Sequence, residues 1–173
     1  MKIHLQRVRR EPFRFAETLE VSAELLERDE VVALGPVSWS GKVVWADPGY
    51  YLTGRLEYEQ TLSCDRCLEP ITERRRSDVE VLLLVDEPRP MDGEHELSEE
   101  DLGILHLDDE VFDTWALVVE QLQLDVPMKP VCRPDCKGLC PVCGTDRNAG
   151  DCGCDTRTVD PRWAALEKLR PEN

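Results

Sequence analysis

Apolar positions recur every second residue through the middle of the chain. The period sets in near Val31 and is clearest where Val37, Trp39, Gly41, Val43 and Trp45 alternate with Ser38, Ser40, Lys42 and Val44. Alternation at that period marks a strand with one buried face. Asp47-Pro48-Gly49 then reads as a tight turn. From Tyr50 the alternation resumes, with Leu52, Leu56, Tyr58 and Leu62 on one face and Arg55, Glu57, Glu59 and Thr61 on the other. A third run, Val79, Val81, Leu83 and Val85, follows Ile71-Thr72-Glu73-Arg74-Arg75-Arg76. Three consecutive strands with short turns predict an antiparallel meander. Neighbouring strand residues point to opposite faces, so Arg74, Arg75 and Arg76 form no one-sided cation patch unless a bulge intervenes.

Other periods flank this block. Ile3 and Leu5 predict a short first strand, Phe13 and Phe15 a second, and residues 17–30 a surface segment with a short helix. Residues 86–112 read as a solvated acidic connector: Pro88, Pro90 and Gly93 break regular structure. Within it, Ser98 to Leu102 would open one helical turn. Asp113 is placed to cap a helix over 114–125. Its apolar positions 115, 118, 119 and 122 have helical spacing, broadened by Leu117, Leu124 and Val126, and Pro127 ends it. That helix is expected to cover one face of the sheet. Asp160-Pro161 would start a last short helix carrying Trp163, Leu166 and Leu169. The expected fold class is α+β: an antiparallel β-meander or partly closed barrel covered by one or two helices, with a C-terminal cysteine-rich zinc module. Residues 1–127 form the β-rich domain and 128–173 the tail.

Length and charge sharpen this picture. A chain of 173 residues is one domain plus a small appendage, long enough to bury a core. Its net charge of −15 is local. Residues 86–125 hold fourteen acidic residues and one arginine, a net of −13, which leaves −2 for the rest. An acidic segment attracts basic partners and repels phosphate. The first fifteen residues, by contrast, are basic and offer an arm for RNA contact or an ordinary solvated strand face. No apolar run follows them, so no signal peptide is expected, and no aliphatic run approaches a membrane span. A cytoplasmic chain with eight cysteines is expected to hold metal rather than disulfides.

Six of the eight cysteines lie between Cys132 and Cys154. Two cysteines three apart can aim both sulfurs at one ion, and Gly144 behind the Cys140–Cys143 pair suits a turn needing positive φ. Cys140, Cys143, Cys152 and Cys154 are the first-choice ligands of a structural zinc site. An all-sulfur shell favours zinc over magnesium or calcium but leaves an iron–sulfur cluster open. Alternatives exchange Cys132 or Cys136 into the set, or pair those two with Cys64 and Cys67 in a second site. Cys64 and Cys67, expected at the tip of the meander, have two further readings. One is a redox pair with Arg66 stabilising a thiolate, although no βαβ pattern surrounds them. The other is a reduced structural pair without a ligand.

The chain lacks a phosphate-binding glycine loop and a nucleophile elbow, and its three histidines are isolated. A four-cysteine shell has no open position for catalysis. The expectation is a non-enzymatic protein without a small-molecule substrate, binding something macromolecular. Beside the acidic connector the cysteine module is mildly basic, and Arg133, Lys137 and Arg147 are its candidate partner contacts.

The chain resembles the YceD family, the large ribosomal RNA subunit accumulation proteins of bacteria and plastids. The resemblance rests on Cys64-Asp65-Arg66-Cys67-Leu68-Glu69-Pro70, on Leu124-Asp125-Val126-Pro127, and on the string from Cys132 through Cys136-Lys137-Gly138-Leu139-Cys140-Pro141-Val142-Cys143-Gly144. It continues through Asn148, Cys152-Gly153-Cys154 and Asp160-Pro161-Arg162-Trp163. It implies a role in synthesis, processing or stability of the large-subunit ribosomal RNA and brings no catalytic residues. The resemblance does not name the direct partner; the first expectation is that RNA or a pre-ribosomal particle, touched by the basic residues. The alternative is a basic ribosomal protein held by acidic residues 92–113, and a third reading is a thiol redox protein using Cys64 and Cys67.

Overall fold

A computed structural model describes residues 1–85, 103–155 and 162. The alternating segments form strands where expected: β4 (Val37–Ala46), β5 (Gly49–Ser63) and β6 (Pro70–Val85) make the antiparallel meander. Around it stand β1 (Lys2–His4), β2 (Phe13–Leu19), β3 (Val31–Leu34), β7 (Ile104–Leu107) and β8 (Val111–Asp113). The helices are α1 (Leu5–Val8) and α2 (Thr114–Asp125), with a 3-10 turn over Ala23–Leu26.

The main sheet runs in the order β2-β4-β5-β6-β7, and β3 pairs with the far end of β5 beyond β4. A separate two-stranded sheet joins β1 to β8. Both sheets are open, so the architecture is α+β with a mixed sheet, and the barrel alternative does not occur. Two expectations change. Leu5 is the first residue of α1 rather than part of the first strand. The stretch read as a solvated connector over 86–112 contributes β7, which adds to β6 in parallel with Ile104 opposite Leu82 and Leu107 opposite Val85. It also contributes β8. Residues 86–102 and the predicted helix after Asp160 lie outside the described residues.

One apolar core fills the space between sheet and helix. Even-numbered residues of β5 and odd-numbered residues of β4 and β6 face inward, as the pattern predicted: Trp39, Leu52, Leu56, Leu62, Val79 and Leu83 are buried. Helix α2 adds Leu117, Val118 and Leu122. Its buried stripe is rotated from the expected one. Trp115 sits at the rim, 36% exposed, and Thr114 is buried instead. Asp113 ends β8 and caps α2, accepting the Trp115 N–H at 3.1 Å, while the Thr114 N–H bonds the Met1 carbonyl at 2.9 Å. That anchor sets the helix rotation.

Parity also splits the arginine run. Arg75 faces inward and donates to the Asp125 carbonyl at 3.1 Å, at the C-terminus of α2. Tyr58 Oη donates to the Asp125 carboxylate at 3.1 Å, and Ser77 Oγ donates to the same oxygen. Burial first, and the Asp125 carboxylate second, hold the Tyr58 phenol well above its usual range, so it stays a neutral donor. Arg74 and Arg76 point outward.

Candidate metal centres

Beyond Ser63 and before Pro70 the chain must reverse, and Cys64–Glu69 make the turn. The Cys64 N–H bonds the Glu69 carbonyl and the Leu68 N–H bonds the Cys64 carbonyl, both at 2.9 Å. Leu68 takes φ 63, an uncommon conformation for a side-chain-bearing residue. Amides of Arg66 and Cys67 donate to the Cys64 sulfur, and that of Glu69 to the Cys67 sulfur.

The same turn recurs in the tail. The Gly144 N–H bonds the Cys140 carbonyl at 2.8 Å, and the Cys140 N–H bonds the Thr145 carbonyl at 2.9 Å. Gly144 has φ +74, as its position suggested. Amides of Val142 and Cys143 donate to the Cys140 sulfur, and that of Thr145 to the Cys143 sulfur. The two Cys-x-x-Cys turns are thus built alike, with Leu68 standing where Gly144 stands. Inward N–H groups stabilise thiolates, which is what a cation-binding sulfur requires.

Each turn meets a second cysteine pair. Cys64, Cys67, Cys132 and Cys136 form one group, and Cys140, Cys143, Cys152 and Cys154 another; within each, all four sulfurs lie within 4.8 Å of one another. Cys64 and Cys136 sulfurs are 4.0 Å apart, and those of Cys67 and Cys132 are 3.7 Å apart. Tetrahedral coordination with metal–sulfur bonds of about 2.3 Å places sulfurs about 3.8 Å apart. A disulfide needs about 2.05 Å. All eight cysteines are free thiols. The donor set and its spacing therefore fit a soft tetrahedral cation in both places. The first group is the more buried: only Cys132 is exposed, whereas in the second only Cys140 is buried.

The first group ties the hairpin tip to the tail, and backbone bonds reinforce it. The Asp65 N–H bonds the Pro130 carbonyl and the Leu139 N–H bonds the Arg66 carbonyl, each at 2.8 Å. The Arg66 guanidinium donates to the carbonyls of Cys136 at 2.8 Å and Pro134 at 3.3 Å. It therefore clamps backbone and is not spent on a sulfur. Gly138, at φ +70, passes so close that a Cβ would sit 2.8 Å from the Arg66 carbonyl oxygen. Asn148, in the loop between Cys143 and Cys152, reaches the first group. Its Oδ1 accepts the Lys137 N–H at 2.8 Å, and its Nδ2 donates to the Cys136 sulfur at 3.5 Å and to Asp146 at 2.7 Å.

Protonation within each group is split. Against its burial, amides of Cys132, Cys67 and Arg66 bring the Cys64 thiol down to about 6. Cys67 has the Glu69 amide in its favour, yet burial and the neighbouring thiols push it up to about 12. Despite burial, Asn148 and the Gly138 amide lower Cys136; burial and Cys136 raise Cys132. In the second group the Thr145 hydroxyl and amide lower Cys143 to about 6, while Cys143 and Cys152 push Cys154 up to about 12. Amides of Cys143 and Val142 lower Cys140. Cys152 is raised, chiefly by Cys140 and burial, against the Cys154 amide. Four adjacent sulfurs share protons because like charges at this distance repel; a divalent cation removes that restriction.

Lys137 and Arg147 are exposed and line one shallow hollow with Asn148 and Asp151. Arg133 lies apart from that hollow and pairs with Asp135 at 3.6 Å. Of the acidic residues proposed for a basic partner, Asp109 accepts the Val111 N–H at 2.7 Å. Glu110 holds Gln6 and Arg9. Neither Arg66 nor Asn148 was singled out for its role from the sequence. The repeated Cys-x-x-Cys turn was the available sign that the two ends share one design.

The model of one family, the Large ribosomal RNA subunit accumulation protein YceD, matches residues 52–170. This chain belongs to the YceD family. An uncharacterized protein of Mycobacterium tuberculosis is 37% identical over 126 residues, 72% of this chain and 58% of that protein. Uncharacterized protein YlbN of Bacillus subtilis is 26% identical across 95% of this chain and 92% of its own length. A YceD-family relative in Zea mays, named large ribosomal RNA subunit accumulation protein YCED homolog 1, chloroplastic, is 28% identical over 57% of this chain and 42% of its own. The chain thus spans less than two thirds of the mycobacterial and maize relatives. No solved structure matches it. No described helix is long and apolar enough to cross a membrane.

Proposed function

We propose that the chain is a non-enzymatic cytoplasmic factor in the accumulation of large-subunit ribosomal RNA, binding that RNA or a pre-ribosomal particle, with one zinc ion in each cysteine group. The carrying observation is the family match over residues 52–170, together with the name of the plastid relative. The zinc assignment is supported by the two four-thiol groups with sulfurs within 4.8 Å. Zinc supplies folding energy to such modules and no open coordination position. Cys64, Cys67, Cys132 and Cys136 would staple the tail to the hairpin tip. Cys140, Cys143, Cys152 and Cys154 would shape the segment that presents Lys137 and Arg147, with Arg133 nearby in sequence.

Depletion of the protein should lower large-subunit ribosomal RNA relative to small-subunit RNA, and the tagged chain should cosediment with large-subunit precursors. Unchanged RNA ratios together with no cosedimentation would remove the proposal. Metal analysis should find two zinc ions per chain; iron and inorganic sulfide would replace zinc by a cluster. Ultraviolet crosslinking in cells separates the partners. Recovery of precursor RNA supports direct contact, whereas copurified ribosomal proteins after nuclease treatment, without RNA, favour the basic-protein alternative.

A further inference from the structure

The outward face of the main sheet carries a groove remote in sequence from the tail. Strand register defines its walls. Arg14, Lys42, Thr53 and Glu80 stand in one row across β2, β4, β5 and β6. Two residues along the strands, Ser40, Arg55 and Asp78 form the next outward row. Between them the side chains point inward, so backbone at Gly41 and Gly54 floors a hollow of about 630 Å³. Its two ends differ in charge. Arg14 and Lys42 are exposed at one end, with no ion-pair or hydrogen-bond partner among the described residues. Glu80 stands at the other, beside Asp78, which Arg55 holds at 2.7 Å. On the far side of the cation row, Tyr51 faces outward between Val44 and Leu82 and is 42% exposed.

Unpaired cations beside an exposed aromatic ring on an open sheet form a stacking platform with a phosphate site, the arrangement that holds unpaired nucleic acid. Carboxylates at the opposite end accept hydrogen bonds from ribose hydroxyls and base amino groups. A basic peptide would be repelled by Arg14 and Lys42. An acidic one brings few donors for Glu80 and Asp78. We propose that this groove binds single-stranded RNA, with a phosphate between Arg14 and Lys42, one base stacked on Tyr51, and the neighbouring nucleotide donating to Glu80 and Asp78. The inference rests on the RNA reading above and moves the principal contact from the tail to the sheet.

The test is fluorescence anisotropy of the full zinc-loaded chain with a short labelled single-stranded RNA. Arg14→Ala with Lys42→Ala should weaken binding at least tenfold and reduce the salt slope by about 0.7, the share of one single-strand phosphate contact. Tyr51→Ala should cost roughly tenfold and Tyr51→Phe little, because stacking needs the ring and not the hydroxyl. Duplex RNA should bind weakly, because its bases are not free to stack on Tyr51. The groove is refuted if the parent chain does not bind the RNA, or if the Arg14/Lys42 variant matches it in affinity and salt slope. Cosedimentation separates this from the broader reading. A parent chain that sediments with large-subunit precursors keeps that reading alive even when the groove variants bind RNA normally.

Discussion

Replacing Cys132 by Ser tests what holds the tail against the hairpin tip. Cys132 is the exposed member of its group, so the change removes little apolar burial and acts mainly on the fourth ligand. Without the ion, four hydrogen bonds to carbonyl oxygens join tail and tip: Asp65 to Pro130, Leu139 to Arg66, and the Arg66 guanidinium to Pro134 and to Cys136. At about 1 kcal/mol net each, they contribute about 4 kcal/mol. Ordering residues 129–154 costs about 26 kcal/mol at about 1 kcal/mol per residue. Two structural zinc ions at roughly 10–16 kcal/mol each offset that, whereas one ion with the bonds falls short. The variant should therefore lose one of two zinc ions and release the tail while the sheet survives. The readouts are zinc per chain and trypsin cleavage at Lys137–Gly138. In the parent that bond is protected, because Gly138 is buried and the Lys137 N–H is bonded to Asn148. A Cys132→Ser chain that keeps two ions and resists cleavage there would refute the reasoning.

Gly138→Ala puts a methyl against the Arg66 carbonyl at φ +70 and should cost about 1–3 kcal/mol, seen as a lower urea midpoint for tail release. An unchanged midpoint would mean that the tail and tip are not in close approach. Asp125→Ala leaves the buried Tyr58 hydroxyl without its acceptor and should destabilise the sheet–helix contact by about 1–3 kcal/mol in urea unfolding; a loss below the measurement error would count against the network. Zinc affinity should rise steeply with pH. Two thiols in each group are held above their usual range and bind protons that the ion must displace, so acid opposes binding and alkali favours it. Competition with a chromophoric chelator near neutral pH should show roughly a hundredfold change per pH unit for two protons. A pH-independent affinity would contradict the assignment of thiolate ligands.

The meander was legible because its strands are long and each buries one face, so the period repeats many times. Strand β7 was not legible. Four residues among acidic neighbours carry too short a pattern, and its parallel pairing to β6 is decided across the fold. The pairing of β1 with β8 joins the two halves of the chain and has no local trace. In α2 the apolar residues cover more than one face, so spacing alone did not choose between Trp115 and Thr114; the bond from Thr114 to Met1 did. The cysteine turns were visible as spacing. Which pairs share a site is a tertiary matter: Cys136 is four residues from Cys140, yet its sulfur lies with Cys64.

The parallel addition of β7 has a bearing on how the chain tolerates change in length. Val85 stands beside Leu107, and Leu82 beside Ile104, so the segments that frame residues 86–102 are already neighbours in the sheet. Joining ends that lie close together costs little more when the join is longer: doubling its length adds about 0.6 kcal/mol of closure entropy. Material inserted between Val85 and Gly103 would be carried as cargo at small expense, and a reporter domain placed there should leave the sheet and both cysteine groups as they are.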